Sequence, residues 1–344
     1  MSESVTGKSY ARAGLLGNPS DGYQGKTIAL ALADFSATVT MTADDRIRIV
    51  PPQEDKDQFD SIDQMLHQFR RRGLYGGSRL IKAALLRFFS HVRKHLPSNL
   101  PQFSLTWQSD IPRCVGLAGS SAIITASFKA LCQYYRVDIE PAVVAALALQ
   151  VETDILKIPA GPQDRVVQML EGVVFMDFGP EQSQLQDGME IGRYEYLNIG
   201  DVSDHLYLAW TDAAAEPTEV LHNNLRERFD TGETAVVDAM DQFAQLAQRG
   251  KHALLADDLV ELGRLIDANF DLRASICRLP QFHRQMVETA RAAGGTAKFC
   301  GSGGAIIGTF ADAQALQRIR EQLNAIGCHV LQPTIGSPGN ICES

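Results

Sequence analysis

Two spacings of apolar residues alternate along this chain. Residues 46–50 switch between charged and apolar side chains, the pattern of a half-buried strand, and residues 37–41 predict its partner. From Leu80 onward, apolar residues fall at Leu80, Ile81, Ala84, Leu85, Phe88, Phe89 and Val92. That spacing predicts one face of a helix, with Ser78 placed as its cap and Pro97 beyond its end. Residues 103–107 predict a strand, 122–135 and 143–151 predict helices, and 166–178 predict a hairpin turning at Glu171 and Gly172. The polar, glycine-rich stretch 179–200 reads as a connection and places a boundary near residue 195. The expected domains are therefore 1–195 and 196–344. In the second, the pattern predicts a strand at 206–210, several helices between 217 and 293, a strand over 297–309, a helix over 312–325 and a strand at 329–332. Strands and helices mixed without strict alternation predict an α+β fold.

Composition narrows the classes of function. A chain of 344 residues with 45% hydrophobic content is long enough to bury the cores of two domains. The longest apolar runs, such as residues 28–33, fall far short of the roughly 20 residues that span a bilayer. The N-terminus lacks the basic-then-apolar pattern of a secretion signal. A formal net charge of −9 argues against nucleic acid or a membrane surface as partner. The cysteines Cys114, Cys132, Cys277, Cys300, Cys328 and Cys342 are scattered and form no zinc-like pairs, as in a reduced cytoplasmic protein. The histidines are equally dispersed and suggest no metal site.

Three segments carry candidate chemistry. Residues 11–23, ARAGLLGNPSDGY, read as a strand entering a turn, with Arg12 and Asp21 as charged residues in a small, apolar setting. Residues 112–126, PRCVGLAGSSAIITA, place glycine-rich backbone and two serines ahead of a helical run. Free amides and the positive end of a helix at one point suit a phosphate, and Ser120 or Ser121 offers a hydroxyl to a metal ion. The full P-loop signature is absent, since Gly7-Lys8-Ser9 lacks the leading glycine. Residues 298–304, KFCGSGG, hold three glycines in four positions, which permits close backbone approach to a ligand or another loop. Glu152 closes a helix, and Asp164 follows the turn Ala160-Gly161-Pro162. Taken singly, each segment also fits an ordinary turn, cap or solvated carboxylate.

Taken in order, the segments resemble the GHMP kinases, named for galactokinase, homoserine kinase, mevalonate kinase and phosphomevalonate kinase. ARAGLLGNPSD resembles the galactokinase-type first motif, PRCVGLAGSSA the family's phosphate loop, and KFCGSGG its third motif. Glu152 precedes Asp164 by twelve residues, which resembles the spacing of metal glutamate and catalytic aspartate in that pattern. YGGSRL, AGPQDRVVQ, Asn269-Phe270-Asp271-Leu272-Arg273 and the late LQP resemble the glucuronate-kinase branch of plants, so the likeness runs from about residue 8 to 335. The phosphate loop departs from the usual Gly-Leu-Gly-Ser-Ser-Ala by one extra residue, and the third motif is one glycine shorter.

The resemblance implies an N-terminal domain of ribosomal-protein-S5 type and a ferredoxin-like C-terminal domain. It implies an ATP- and Mg²⁺-dependent kinase acting on a small sugar or sugar acid, with D-glucuronate phosphorylated at its anomeric hydroxyl. Galacturonate, fucose or a heptose is the alternative substrate, and a non-catalytic sugar-binding regulator the alternative class. Asp164 is then the expected base, with Arg12 holding it ionised and facing the transferred phosphoryl group. Gly116, Leu117, Ala118, Gly119, Ser120, Ser121 and Ala122 form the expected phosphate loop, and Ser121 with Glu152 the expected metal ligands. Asp21 is expected to bind sugar hydroxyls, with Gly301, Ser302 and Gly303 also near the substrate. Arg113, Arg165 and Arg273 are candidates for a substrate carboxylate, and the helical residues 76–89 for the adenine.

Overall fold

The computed structural model describes residues 4–50, 57–66, 78–97, 99–212 and 225–338. Strand β1 (Ser4–Leu16) leads through a 3₁₀ turn (Ser20–Tyr23) into β2 (Lys26–Ala43). In the second half of β2, Ala37, Val39 and Met41 are buried while the intervening threonines are partly exposed, the two-residue period of a strand. Next come β3 (Ile47–Val50), β4 (Asp57–Phe59), helix α1 (Arg79–Val92) and β5 (Phe103–Ser109). Three helices follow: α2 (Gly119–Tyr135), α3 (Pro141–Gln150) and, after a π-turn at Val151–Ile155, α4 (Gln163–Leu170). Strand β6 (Val173–Asp177), a small hairpin of β7 (Gln184–Gln186) and β8 (Met189–Ile191), and β9 (Arg193–Tyr196) complete the first half.

β2 organises the first sheet. It pairs antiparallel with β1 from Leu16↔Ile28 to Ser4↔Thr42, with β5 over residues 37–43 and with β6 over residues 26–30. Helix α2 packs on β1 and β2. At Gly7 a Cβ would overlap the Ala126 carbonyl, so only glycine lets the helix backbone come this close. The second sheet contains β10 (Leu206–Thr211), β11 (Lys298–Phe299), β12 (Ala305–Thr309) and β13 (Cys328–Leu331), in the antiparallel order β11-β12-β10-β13. Helices α5 (Thr234–Leu255), α6 (Leu259–Ile276), α7 (Gln281–Ala292) and α8 (Ala313–Ala325) accompany it. Leu15, Ile28 and Leu30 of the first sheet share one buried cluster with Leu208, Ile266 and Ile307 of the second half. That shared core brings the end of β1, the start of α2 and the β11–β12 loop together, and the Arg12–Asp164 contact adds the start of α4. Among the described residues, no helix is long and apolar enough to cross a membrane.

Several expectations need correction. Residues 37–41 are strand but do not pair with 46–50; β3 pairs with β4 and, in parallel, with β5. Alternation marks a strand without naming its partner. The expected hairpin at 166–178 is helix α4 followed by β6. Val166, Val167 and Leu170 are its buried face, and Glu171 and Gly172, both at positive φ, end the helix. The supposed connection 179–200 contains β7, β8 and β9, with Asp187 and Gly188 at φ 48° and 75° in the hairpin turn. The single strand expected at 297–309 is interrupted by the loop 300–304. Ser78 does precede α1 but makes no side-chain capping bond.

Candidate active site

Arg12, on β1 and only 5% exposed, ties three segments together. Its Nε and Nη2 reach Asp164 Oδ1 at 2.7 and 2.6 Å. Its Nη1 donates to the carbonyls of Gly116 at 3.1 Å and Cys300 at 2.6 Å, and its backbone amide donates to Leu117 O at 3.1 Å. A planar guanidinium presents five N–H donors in fixed directions, which a lysine does not. Burial opposes the charge of Arg12, but the charge and hydrogen bond of Asp164 outweigh it, and the net shift of the Arg12 pKa is upward.

The loop before α2 is wound for an anion. Cys114, Gly116 and Ala118 have φ of 59°, 76° and 61°, and α2 starts at Gly119 without a side-chain cap. Its first-turn amides and positive dipole end therefore lack an internal partner. The extra residue of this loop, Ala118, occupies the left-handed capping position, where its carbonyl accepts from Gln168 Nε2 at 3.0 Å and Ser121 Oγ at 3.2 Å. The Leu117 and Ala122 side chains are buried, so these two residues can offer only backbone to a ligand. At Gly301 a Cβ would overlap the Gly116 carbonyl and approach Arg12. The third motif thus lies directly on the phosphate loop, and glycine is what the contact requires.

Glu152, in the π-turn, is buried and forms an ion pair with the equally buried Arg165. Its Oε1 accepts from Ser120 Oγ at 3.2 Å. The hydroxyl beside this carboxylate is therefore that of Ser120; Ser121, the sequence-based choice, turns inward to the Ala118 carbonyl. Burial, then the charge of Arg12, lowers Arg165 to about 9, which leaves it cationic at neutral pH. Arg165 also donates to Gly161 O at 2.5 Å and lies 3.7 Å from Asp164.

Asp21 lies in the 3₁₀ turn after β1 and is buried. It accepts from Gln163 Nε2 at 2.9 Å and the Gln163 backbone amide at 3.3 Å. Gly161 abuts it so closely that a Cβ there would collide with the carboxylate. Burial, then the charge of Asp164, raises the Asp21 pKa to about 7. The folded chain holds this proton more tightly than the unfolded one, so stability falls as pH rises from about 4 to about 7. The melting-temperature difference between Asp21→Asn and wild type is expected to shift in favour of the variant across that window. A difference independent of pH, read by calorimetry, would contradict the assignment.

The remaining candidates divide. Arg273 is buried and donates to Gly301 O at 2.7 Å and Ser302 O at 3.5 Å, with burial lowering its pKa. Gly303, at φ 135°, faces the His283 ring. Arg113 is exposed on the strand side of the phosphate loop. In the adenine segment, residues 76 and 77 lie outside the described residues, while Phe88 and Phe89 are buried against Tyr135. Those two rings serve the core.

Several supporting residues carried no assignment from sequence. Gln168 donates to Tyr10 O as well as to Ala118 O, linking α4 to β1 and the phosphate loop. Buried Lys298 donates to Gly14 O, Asn18 Oδ1 and Phe299 O at 2.7, 2.6 and 2.9 Å, and burial pulls its pKa far down. Asn269 Oδ1 accepts from the Gly17 amide at 2.8 Å. The segment 269–273 thus braces the first and third motifs from behind. Glutamine and lysine in an apolar neighbourhood were the available signal, since a buried amide or ammonium must find partners.

An uncapped helix start, a buried arginine–aspartate pair and a carboxylate–hydroxyl pair are the groups that phosphoryl transfer calls for. The descriptions of the GHMP kinase N-terminal and C-terminal domains match residues 79–172 and 251–327. The chain belongs to the GHMP kinase family, whose members are kinases that use ATP. It is 34% identical to glucuronokinase 1 of Arabidopsis thaliana over 98% of this chain and 93% of that one. It is 37% identical to the probable glucuronokinase 2 of the same plant, over 87% and 82%. Its fold is similar to that of galactokinase from Lactococcus lactis solved with galactose, with a TM-score of 0.78 at 16% identity over 98% of this chain and 94% of that one.

Proposed function

We propose that this chain is an ATP-dependent sugar kinase that phosphorylates D-glucuronate at the anomeric hydroxyl, giving the sugar 1-phosphate and ADP. The observation that supports the reaction most is the Arg12–Asp164 pair beside the uncapped start of α2. Asp164 takes the proton of the C1 hydroxyl as that oxygen attacks the γ-phosphorus. The new bond is oxygen to phosphorus, and the bond to the β,γ-bridging oxygen breaks, releasing ADP. Arg12 holds Asp164 in place through Nε and Nη2 and faces the charge that spreads over the transferring group. The backbone from Gly116 to Ser120 cradles the phosphates. Asp21, held by Gln163, receives sugar hydroxyls. The likeness to the plant glucuronokinases over nearly the whole chain supports glucuronate as the sugar.

Mg²⁺ fits the donors present. Glu152 Oε1 and Ser120 Oγ are hard oxygens 3.2 Å apart beside the anion site, the type of ligand Mg²⁺ shares with phosphate oxygens and water. When bound, the ion neutralises phosphate charge. We assign Glu152 and Ser120 to hold it, and Arg165 to fix the orientation of Glu152.

The test is sugar-dependent ADP release. It is expected to require Mg²⁺ or Mn²⁺, and Glu152→Gln is expected to raise the metal concentration at half-maximal rate by at least about tenfold, the scale on which even outer partners of a metal matter. Full turnover in excess EDTA would contradict the metal site, and no turnover with any sugar would contradict the kinase.

A further inference from the structure

A uronate brings a carboxylate, and a site that prefers it over a neutral sugar needs a cation that the substrate can reach. Two of the arginines singled out in the sequence are committed. Arg165 is buried with its terminal nitrogens on Glu152 and Gly161 O, and Arg273 is buried with its own on Gly301 O and Ser302 O. Arg113 is exposed, but it belongs to the loop that receives the phosphates.

A fourth arginine stands beside the sugar side of the site. Arg226, in the helical residues 225–230, donates through Nη2 to the carbonyl of Gly22, the residue after Asp21. Its guanidinium carbon lies 4.5 Å from the centre of the Tyr23 ring, which sets the plane of the fork. The open side of Gly22 faces both Arg226 Nη2 and Gly161, and Gly161 in turn abuts the Asp21 carboxylate. Arg226 is 49% exposed, so an anion arriving from solvent reaches it without the desolvation that guards Arg165 and Arg273. Among the described residues its carboxylate partner is Asp230, itself 59% exposed and 3.7 Å from Nη1. Exposed pairs of this kind contribute little and exchange readily.

We propose that Arg226 is the specificity residue that reads the substrate's carboxylate, with Asp230 holding Nη1 until the sugar acid displaces it. The assignment rests on the proposed function. Asp21 and Asp164 engage hydroxyls common to many sugars, so they do not distinguish an acid from an alcohol at C6. Arg226 supplies that distinction through charge, while its Nη2 bond to Gly22 keeps it registered to the turn that carries Asp21.

The experiment measures kcat/KM for glucuronate and for glucose with wild type, Arg226→Gln, Arg226→Lys and Asp230→Asn. Arg226→Gln is expected to lower the glucuronate-to-glucose ratio by about fivefold, chiefly through KM for glucuronate, the upper end of what an exposed charge pair contributes. Arg226→Lys, which keeps the charge but loses the fork, is expected to retain part of the ratio. Asp230→Asn, which removes the competing carboxylate, is expected to lower KM for glucuronate by about twofold, the small effect of an exposed pair. Arg226 acting only as a brace for the Asp21 turn would lower both sugars alike and leave the ratio intact, which would overturn the assignment. A wild type that discriminates, together with an Arg226→Gln that discriminates equally, overturns the assignment alone. A wild type with equal kcat/KM for both sugars overturns the carboxylate reading and this assignment with it.

Discussion

Replacing Asp164 with asparagine is expected to lower kcat by about 10²-fold or more while the protein stays folded. Asparagine preserves an oxygen at the position where Oδ1 accepts from Arg12 at 2.7 Å, so the shape of the site survives. It cannot take a proton from the sugar hydroxyl. It also removes the negative charge that offsets Arg12, which is 5% exposed, so some stability is lost with the activity. Circular dichroism and a urea titration separate the two losses. A purified, folded Asp164→Asn protein turning over near the wild-type rate would remove Asp164 from the role of base.

Arg12→Lys is expected to cost about 10³-fold in kcat, the low end for an arginine that stabilises a transferring phosphoryl group. One ammonium cannot span Asp164 Oδ1, Gly116 O and Cys300 O, which Arg12 reaches at 2.6–3.1 Å from three nitrogens. The Gly116 carbonyl loses its Arg12 donor and the Cys300 carbonyl keeps the Gly14 amide at 2.9 Å, so the register of the phosphate loop against the third motif loosens. The same loss is expected to lower unfolding stability by about 3 kcal/mol, toward the low end for a disrupted buried pair because Asp164 is 17% exposed and the charge is retained. A variant with unchanged stability and unchanged kcat would show that Arg12 neither braces nor acts.

Much of this site is readable in the sequence because its chemistry is local. The glycines and serines of 116–121 sit where backbone must turn into a helix, and Arg12 and Asp21 stand out as charges in a small, apolar segment. The expected S5-type and ferredoxin-like halves agree with the GHMP kinase fold found here. What was illegible depends on partners far apart in the chain. Alternation at residues 37–41 and 46–50 could not say that β5 would separate them. Residues 163–170 give only eight positions of helix before Glu171 and Gly172, too short for a helical period to declare itself against a strand. Ser120 and Ser121 are adjacent and chemically identical; only the winding of Ala118 at φ 61° decides which hydroxyl faces Glu152. Arg226 carries no motif at all, and its meaning comes from Gly22, more than two hundred residues earlier.

The central claim is transfer of a phosphoryl group to the anomeric oxygen of a sugar acid, and one side-by-side assay tests it. Glucuronate, galacturonate, glucose and galactose are each incubated with Mg-ATP and the chain, initial rates are taken, and the products are read by phosphorus NMR. Glucuronate is expected to give the 1-phosphate, with kcat/KM exceeding that for glucose by about fivefold or more, the scale of a charge pair made by a half-exposed arginine. Equal kcat/KM for glucose and glucuronate, or phosphate on any oxygen other than the anomeric one, would contradict the account.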